Sequence, residues 1–189
     1  LKIFTKRVFL PLTTIYLVEA GGLSIAQIGL LASISALVSI VSDIPTGYFA
    51  DRISRKTSII IGGVFAGLGA LTISMYPHFP GAVVATVLES LGYSFIMGAA
   101  EALIHDTLIQ LKQVENYARV AGRAQSFGLI GNTLLVATVP LTYGIDKRLP
   151  FLIGAFAYVI MICVASMFKE PPRMPRHNVH PNPARDLIQ

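Results

Sequence analysis

Charge is scarce in this chain. Only 13% of its 189 residues are Asp, Glu, Lys or Arg, and 53% are hydrophobic, where a soluble domain carries about 25% charged residues. One cysteine, Cys163, sits inside an apolar run, which excludes a disulfide framework and disfavours thiol chemistry. The net charge of +5 would suggest nucleic acid as a partner in a soluble chain. Here the positive residues cluster between hydrophobic spans, so nucleic acid is excluded and a membrane is implied. His177 and His180 have no cysteine or acidic ligand near them, which reads as solvated loop histidines and no metal site. No residue pattern calls for a cofactor or a catalytic group. An intramembrane serine protease would want a Gly-x-Ser nucleophile with a histidine within a helix, but His105 lies at a helix end. A lipid-headgroup transferase would want Asp-Gly-x-x-Ala-Arg, and Asp43-Ile-Pro-Thr-Gly with Asp51-Arg52 has the wrong order.

What the chain does have is long apolar segments. Six spans are expected, over 4–20, 25–49, 57–76, 81–104, 124–145 and 149–168, each near the length needed to cross a hydrocarbon core of about 30 Å. The short connections Glu19 to Ser24, Pro77 to Pro80 and Asp146 to Arg148 imply antiparallel neighbours. Gly62, Gly63, Gly67 and Gly69 would let helix backbones approach closely. Thirteen basic residues, among them Lys6, Arg52, Arg55, Lys56, Lys112, Arg119 and Arg123, fall on one side of these spans. Only Lys147 and Arg148 fall on the other. The positive-inside rule and an even span count both put the two chain ends in the cytoplasm of a cell (inner or plasma) membrane. Residues 1–168 thus read as one transmembrane domain. Residues 169–189, rich in proline and basic groups, read as an extended cytoplasmic linker. A start at Leu1 with an abrupt first span reads as a fragment without a signal peptide.

Between the second and third spans lies Gly47-Tyr-Phe-Ala-Asp51-Arg52-Ile-Ser54-Arg55-Lys56, a charged turn between uncharged stretches. It resembles the loop signature G-x-x-x-D-[RK]-x-G-[RK]-[RK] of the major facilitator superfamily, with Ser54 in place of the second glycine. Asp43-Ile-Pro-Thr-Gly47 and Glu101-Ala-Leu-Ile-His-Asp106 look like the family's ends of helices two and four. The resemblance covers essentially the whole chain. It implies an all-α membrane protein, a six-helix bundle with a 3+3 inverted repeat, forming the amino-terminal half of a twelve-helix transporter. The implied function is secondary active transport of a small solute by alternating access, coupled to an ion such as the proton. The partners would then be membrane lipids, a small-molecule substrate, protons and the carboxy-terminal half of the same polypeptide. Drug export is not supported by motif: helix five lacks the Gly-Pro pattern around Pro140, and helix four lacks an arginine. A non-transporting membrane sensor or assembly subunit is the alternative.

Candidate residues follow in two groups. The resemblance implies a conformational latch of Gly47, Asp51, Arg52, Arg55, Lys56 and Asp106. Asp43 joins it by i, i+4, i+8 spacing with Gly47 and Asp51. Gly47 would admit a neighbouring helix, Asp51 would accept from a helix amino terminus, and Arg55 would pair with Asp106. Arg52 and Lys56 would also meet anionic lipid. The second group could carry substrate or proton. Glu89 lies deep within helix four, where an ionisable group is costly unless paired or facing water and where burial favours the neutral carboxyl, as a reversible proton carrier requires. Glu101 fits either group. Arg7 could face inward toward an anionic substrate or snorkel to the interface. Asn132, with Gln125 on the same helix, could line a cavity or bond between helices. Pro11, Pro45 and Pro140 would bend their helices.

Overall fold

The computed structural model describes residues 10–168, and within them six α-helices alternate in direction: α1 (Leu10–Glu19), α2 (Ile25–Arg52), α3 (Arg55–Met75), α4 (Phe79–Gln110), α5 (Tyr117–Tyr143) and α6 (Leu149–Ser166), with a 3-10 turn at Val114–Asn116 before α5. Five of them, α2 to α6, are long and apolar enough to cross a membrane. The described part of α1 is 10 residues. Arg7 and the expected linker at 169–189 lie outside the described residues.

Local chemistry sets the helix ends. Ser24 starts α2 with a reciprocal cap: its hydroxyl accepts from the Gln27 amide, and the Gln27 side chain accepts from the Ser24 amide at 2.9 Å. Gly22, at φ 68°, turns the chain there at no steric cost. Ser54 starts α3, its hydroxyl accepting from the Thr57 amide at 3.0 Å. Its backbone is extended, a conformation open to any residue. That explains the departure from glycine in the loop signature: at this turn a capping hydroxyl is of more use than conformational freedom.

At the end of α4, the Gln113 amide donates to Leu108 and the Lys112 amide to Ile109, the paired bonds of a Schellman termination. Its left-handed position is filled by Lys112, at φ 53°. Replacing Lys112 by glycine should therefore raise stability by about 0.5–1 kcal/mol, read as a higher Tm in detergent. An unchanged or lower Tm would show that the lysine side chain offsets its backbone strain.

Packing is closest where α3 meets α4. A Cβ on Gly62 would lie 2.6 Å from the Gly92 carbonyl oxygen, and one on Gly92 2.5 Å from that of Gly62. Two backbones in direct contact gain dispersion and leave no room for a side chain. Two clusters close the bundle. Tyr16, Leu17, Leu31, Ile73, Ala85 and Phe151 gather toward one end, with the Tyr16 hydroxyl donating to the Ser74 carbonyl at 3.0 Å. Ala50, Ile59, Ala99 and Ala165 gather toward the other. The second end also carries Arg52, Arg55, Lys56, Lys112 and Arg119 and is the basic face.

Neither α2 nor α5 joins this core to the same extent. Each keeps only 11% of its apolar stretch buried, against 50% for α3, and each has a proline inside it, Pro45 and Pro140. Their large side chains, such as Leu37, Ile40 and Ile44 on α2 and Phe127, Leu134 and Leu141 on α5, face outward.

Candidate functional site

At the basic face, three helix ends are tied together by one arginine. Arg55 opens α3 and is only 18% exposed. Its guanidinium pairs with the Asp106 carboxylate on α4, donates to the Ala102 carbonyl one turn earlier, and lies 3.6 Å from Asp51 at the end of α2. A guanidinium can serve several acceptors in fixed directions at once, which an ammonium cannot. The adjacent Lys56 reaches the other way and donates to the Ser166 carbonyl at the end of α6, where a cation favourably meets the helix terminus. Adjacent residues in the first turn of α3 thereby grip α4 and α6 separately. Arg52 lies over the Tyr48 ring, 5.2 Å from its centroid. His105 rests edge-on to Tyr117 with its Nδ1 4.0 Å from Asp106.

Further into the membrane, α2 and α4 are joined by side-chain hydrogen bonds. Ser94 Oγ donates to Asp43 Oδ1 at 2.8 Å, and the Ser35 and Ser90 hydroxyls lie 2.9 Å apart. Gly92-Tyr-Ser94 is a Gly-x-Ser triplet inside a helix, but its serine is committed to a carboxylate and not to a histidine. A Cβ on Gly98 would sit 3.9 Å from the Gly47 Cα, whereas one on Gly47 would meet nothing within 4 Å. Asp43, Gly47 and Asp51 share one side of α2, as their spacing requires.

A cavity of about 360 Å³ lies among α1, α2, α3, α4 and α6, and Glu89 lines it. Glu89 is the eleventh residue of α4, about 15 Å along the helix. Its direction is set by α3: a Cβ on Gly69 would fall 2.6 Å from Glu89 Cγ, so only glycine lets the carboxyl arm cross α3 toward Tyr158 on α6. Tyr93, Tyr158, Thr13, Thr14 and Thr86 supply the remaining polar groups apart from Ser35. The other substrate candidates do not converge on it. Glu101 is exposed on α4 nearer the basic face. Asn132, on α5, has a buried Oδ1 that finds no partner among the described residues. Sequence reasoning missed Tyr93 and Tyr158; the spacing of Tyr93, one turn on from Glu89, is the signal that could have found it. Among the described residues no three His, Cys, Asp or Glu side chains gather as a metal site would require.

At the face opposite the basic one, Lys147 lies 2.8 Å from Glu19, which also accepts from the Tyr143 hydroxyl at 3.1 Å. The hydrogen bond with Glu19, then its charge, holds Lys147 above the ordinary lysine range. A raised lysine is charged at all pH values below that range, and the same contact holds Glu19 below the ordinary carboxylate range. The pair therefore persists through neutral pH and weakens in strong alkali, when Lys147 loses its proton, or in acid, when Glu19 gains one.

Comparison with known proteins accounts for this architecture. The chain is 26% identical over 184 residues to an uncharacterized MFS-type transporter, YxaM, of Bacillus subtilis (strain 168), covering 90% of the chain and 42% of that protein. It is 31% identical over 155 residues to the multidrug resistance protein MdtG of Klebsiella pneumoniae (strain 342), covering 77% of the chain and 35% of that protein. It thus spans about two-fifths of the length of these relatives. The family model of the Major Facilitator Superfamily matches residues 1–188. Six alternating helices, a G-x-x-x-D-R-x-S-R-K turn between α2 and α3, and a match over nearly every residue place this multi-pass membrane chain in the Major Facilitator Superfamily.

Proposed function

We propose that the complete polypeptide carrying this chain is a secondary transporter that moves a small solute by alternating access, coupled to protons through Glu89. The observation that carries this reading is a carboxyl about 15 Å along a membrane helix, in a cavity shared by five helices. A group there can exchange its proton only when water reaches it, which is what alternating exposure supplies. The basic face is taken as cytoplasmic by the positive-inside rule, with the membrane an inner or plasma membrane. The outward sides of α2 and α5 are taken as the surface against which a carboxy-terminal half docks. Asp51, Arg55 and Asp106 serve as the latch at the cytoplasmic mouth, with Asp51 presented to a helix end of that second half.

The test is transport in proteoliposomes of the complete polypeptide, screened with a solute panel by uptake of labelled solute across an imposed pH gradient. Glu89→Gln should abolish the dependence of solute flux on the pH gradient, either by stopping flux or by leaving it uncoupled. Wild-type flux at every pH in Glu89→Gln would overturn proton coupling at this residue.

A further inference from the structure

The cavity around Glu89 has a specific chemical character. We propose that it binds a small organic cation with one apolar ring, its charged head at the Glu89 carboxylate and its body toward Phe151. The inference rests on reading Glu89 as the titrating carboxyl of a transport cavity and adds the class of ligand.

Three observations carry it. The first is that real space is built into the fold. Gly154, on α6, is buried and lines the cavity, yet a Cβ on it would meet nothing within 4 Å. In a close-packed interior a buried glycine normally abuts a neighbour. The volume of about 360 Å³ equals about a dozen water molecules at about 30 Å³ each, near the lower end for small-molecule sites. One ring with a short substituent fits it.

The second is the sign of charge. No Lys, Arg or His occurs among the described lining residues, and Glu89 is their only acid. Among the described residues an anion would meet a carboxyl and no counter-charge, whereas a cation meets its counter-charge at once. The third is the distribution of polar groups. Glu89, Tyr93 and Tyr158 lie deeper, while Leu17, Ile28, Ile73 and Phe151 lie toward the face opposite the basic one. A sugar would press hydroxyls against that apolar end, and the Ser35 hydroxyl is already engaged with Ser90. An ammonium with an aromatic body matches both ends: a carboxylate for the charge, tyrosine rings for the polarisable head, and apolar walls for the ring.

Glu89 already makes polar contacts within the protein; what the ligand requires is its negative charge. The other titratable side chains lining the cavity are Tyr93 and Tyr158, and α1, α2 and α3 contribute only uncharged groups to the described lining. A proton and a monocation would therefore compete for the same carboxyl. One displaces the other, and their exchange carries no net charge.

The experiment is equilibrium binding of radiolabelled benzyltrimethylammonium, a permanent cation, to the complete polypeptide in lipid nanodiscs, with empty nanodiscs subtracted. Binding should be saturable and should weaken as the pH is lowered. Glu89→Gln should weaken it by about tenfold or more, as loss of a desolvated charge partner does, and Glu89→Asp should restore most of it. Gly154→Leu should exclude benzyltrimethylammonium yet still admit tetramethylammonium, which also reports that the variant is folded. Binding that is unsaturable, indifferent to pH, or unchanged in Glu89→Gln and Gly154→Leu overturns the proposal. If binding fails while solute flux persists and depends on Glu89, the ligand class is wrong and the transport reading stands. If binding holds while no solute moves, the site stands and the transport reading falls.

Discussion

Gly92→Val is expected to prevent α3 and α4 from assembling and to remove most of the stability of the bundle. Gly92 and Gly62 face each other across the tightest contact between helices, and a first side-chain carbon on Gly92 would lie 2.5 Å from the Gly62 carbonyl and 2.7 Å from the Ala66 amide nitrogen. Neither atom is the flexible end of a side chain, so the helices themselves must separate. One misplaced methyl group in a packed core costs about 1–3 kcal/mol, and valine brings three carbons into the same space. Separation also moves Glu89 away from Gly69 and opens the seam along Ala85. In a bilayer, where dispersion between close backbones holds helices together, little remains to compensate. Thermal unfolding of the purified protein is the measurement, with Gly29→Ala as the control, because a Cβ on Gly29 meets nothing within 4 Å. Gly29→Ala should keep the wild-type Tm or raise it slightly, since alanine favours the helix more than glycine does. A Gly92→Val protein with that Tm would show that the α3–α4 contact can open without loss.

Arg55→Ala is expected to have the second-largest effect, on conformational balance and not on insertion. It removes at once the partner of Asp106, a donor to the Ala102 carbonyl, and the positive charge beside Asp51. Two carboxylates are then left near one another at the ends of α2 and α4. Fully exposed pairs contribute about 0–1 kcal/mol and breaking fully buried ones costs about 3–5 kcal/mol. Arg55 at 18% and Asp106 at 35% exposure fall between. A bias of about 1.4 kcal/mol already changes a two-state ratio tenfold. Spin-label distances across the basic face of the complete polypeptide should shift toward the form open on that side, with a smaller shift in Asp51→Asn. Combining Arg55→Ala with Asp106→Ala should add little to either alone, since both break one pair. Strictly additive effects, or distance distributions like wild type in all three, would reduce the cluster to an anchor for the loop.

These two sites differ in how far the sequence revealed them. The loop was legible because charge is so rare in the chain that Asp51, Arg52, Arg55 and Lys56 stand out between uncharged stretches, and Asp106 was the acid at the end of the next helix but one. The reach of Lys56 to the end of α6 was not legible. A basic residue beside lipid and one capping a distant helix have the same local sequence, and only tertiary packing separates them.

Helix extents show a similar limit. Apolar runs marked spans at 81–104 and 124–145, but α4 continues to Gln110 and α5 begins at Tyr117. Hydropathy records which residues prefer lipid, whereas a hydrogen-bonded helix can continue into water through residues such as Leu108, Gln110 and Arg119 that favour it. The depth of Glu89 could be counted along the chain, but its direction could not. The outer half of α4 is apolar on nearly all sides and shows no preferred face. Its orientation is set by a missing side chain on another helix, at Gly69.

The prolines of α2 and α5 have a mechanical consequence. Pro45 and Pro140 carry no amide hydrogen, so the Val41 and Val136 carbonyls lose their usual intrahelical donors. Elsewhere in the bundle such a gap would be stiffened by close neighbours, but these are the two helices with the least burial. Each acts as two rods joined at a soft pivot, and bending compliance is concentrated in one helix from each three-helix set. Slow deuterium uptake along α3 and faster uptake in the turns that follow Pro45 and Pro140 would trace that compliance, and a load applied at the Arg55 loop would bend α2 before it displaced α3.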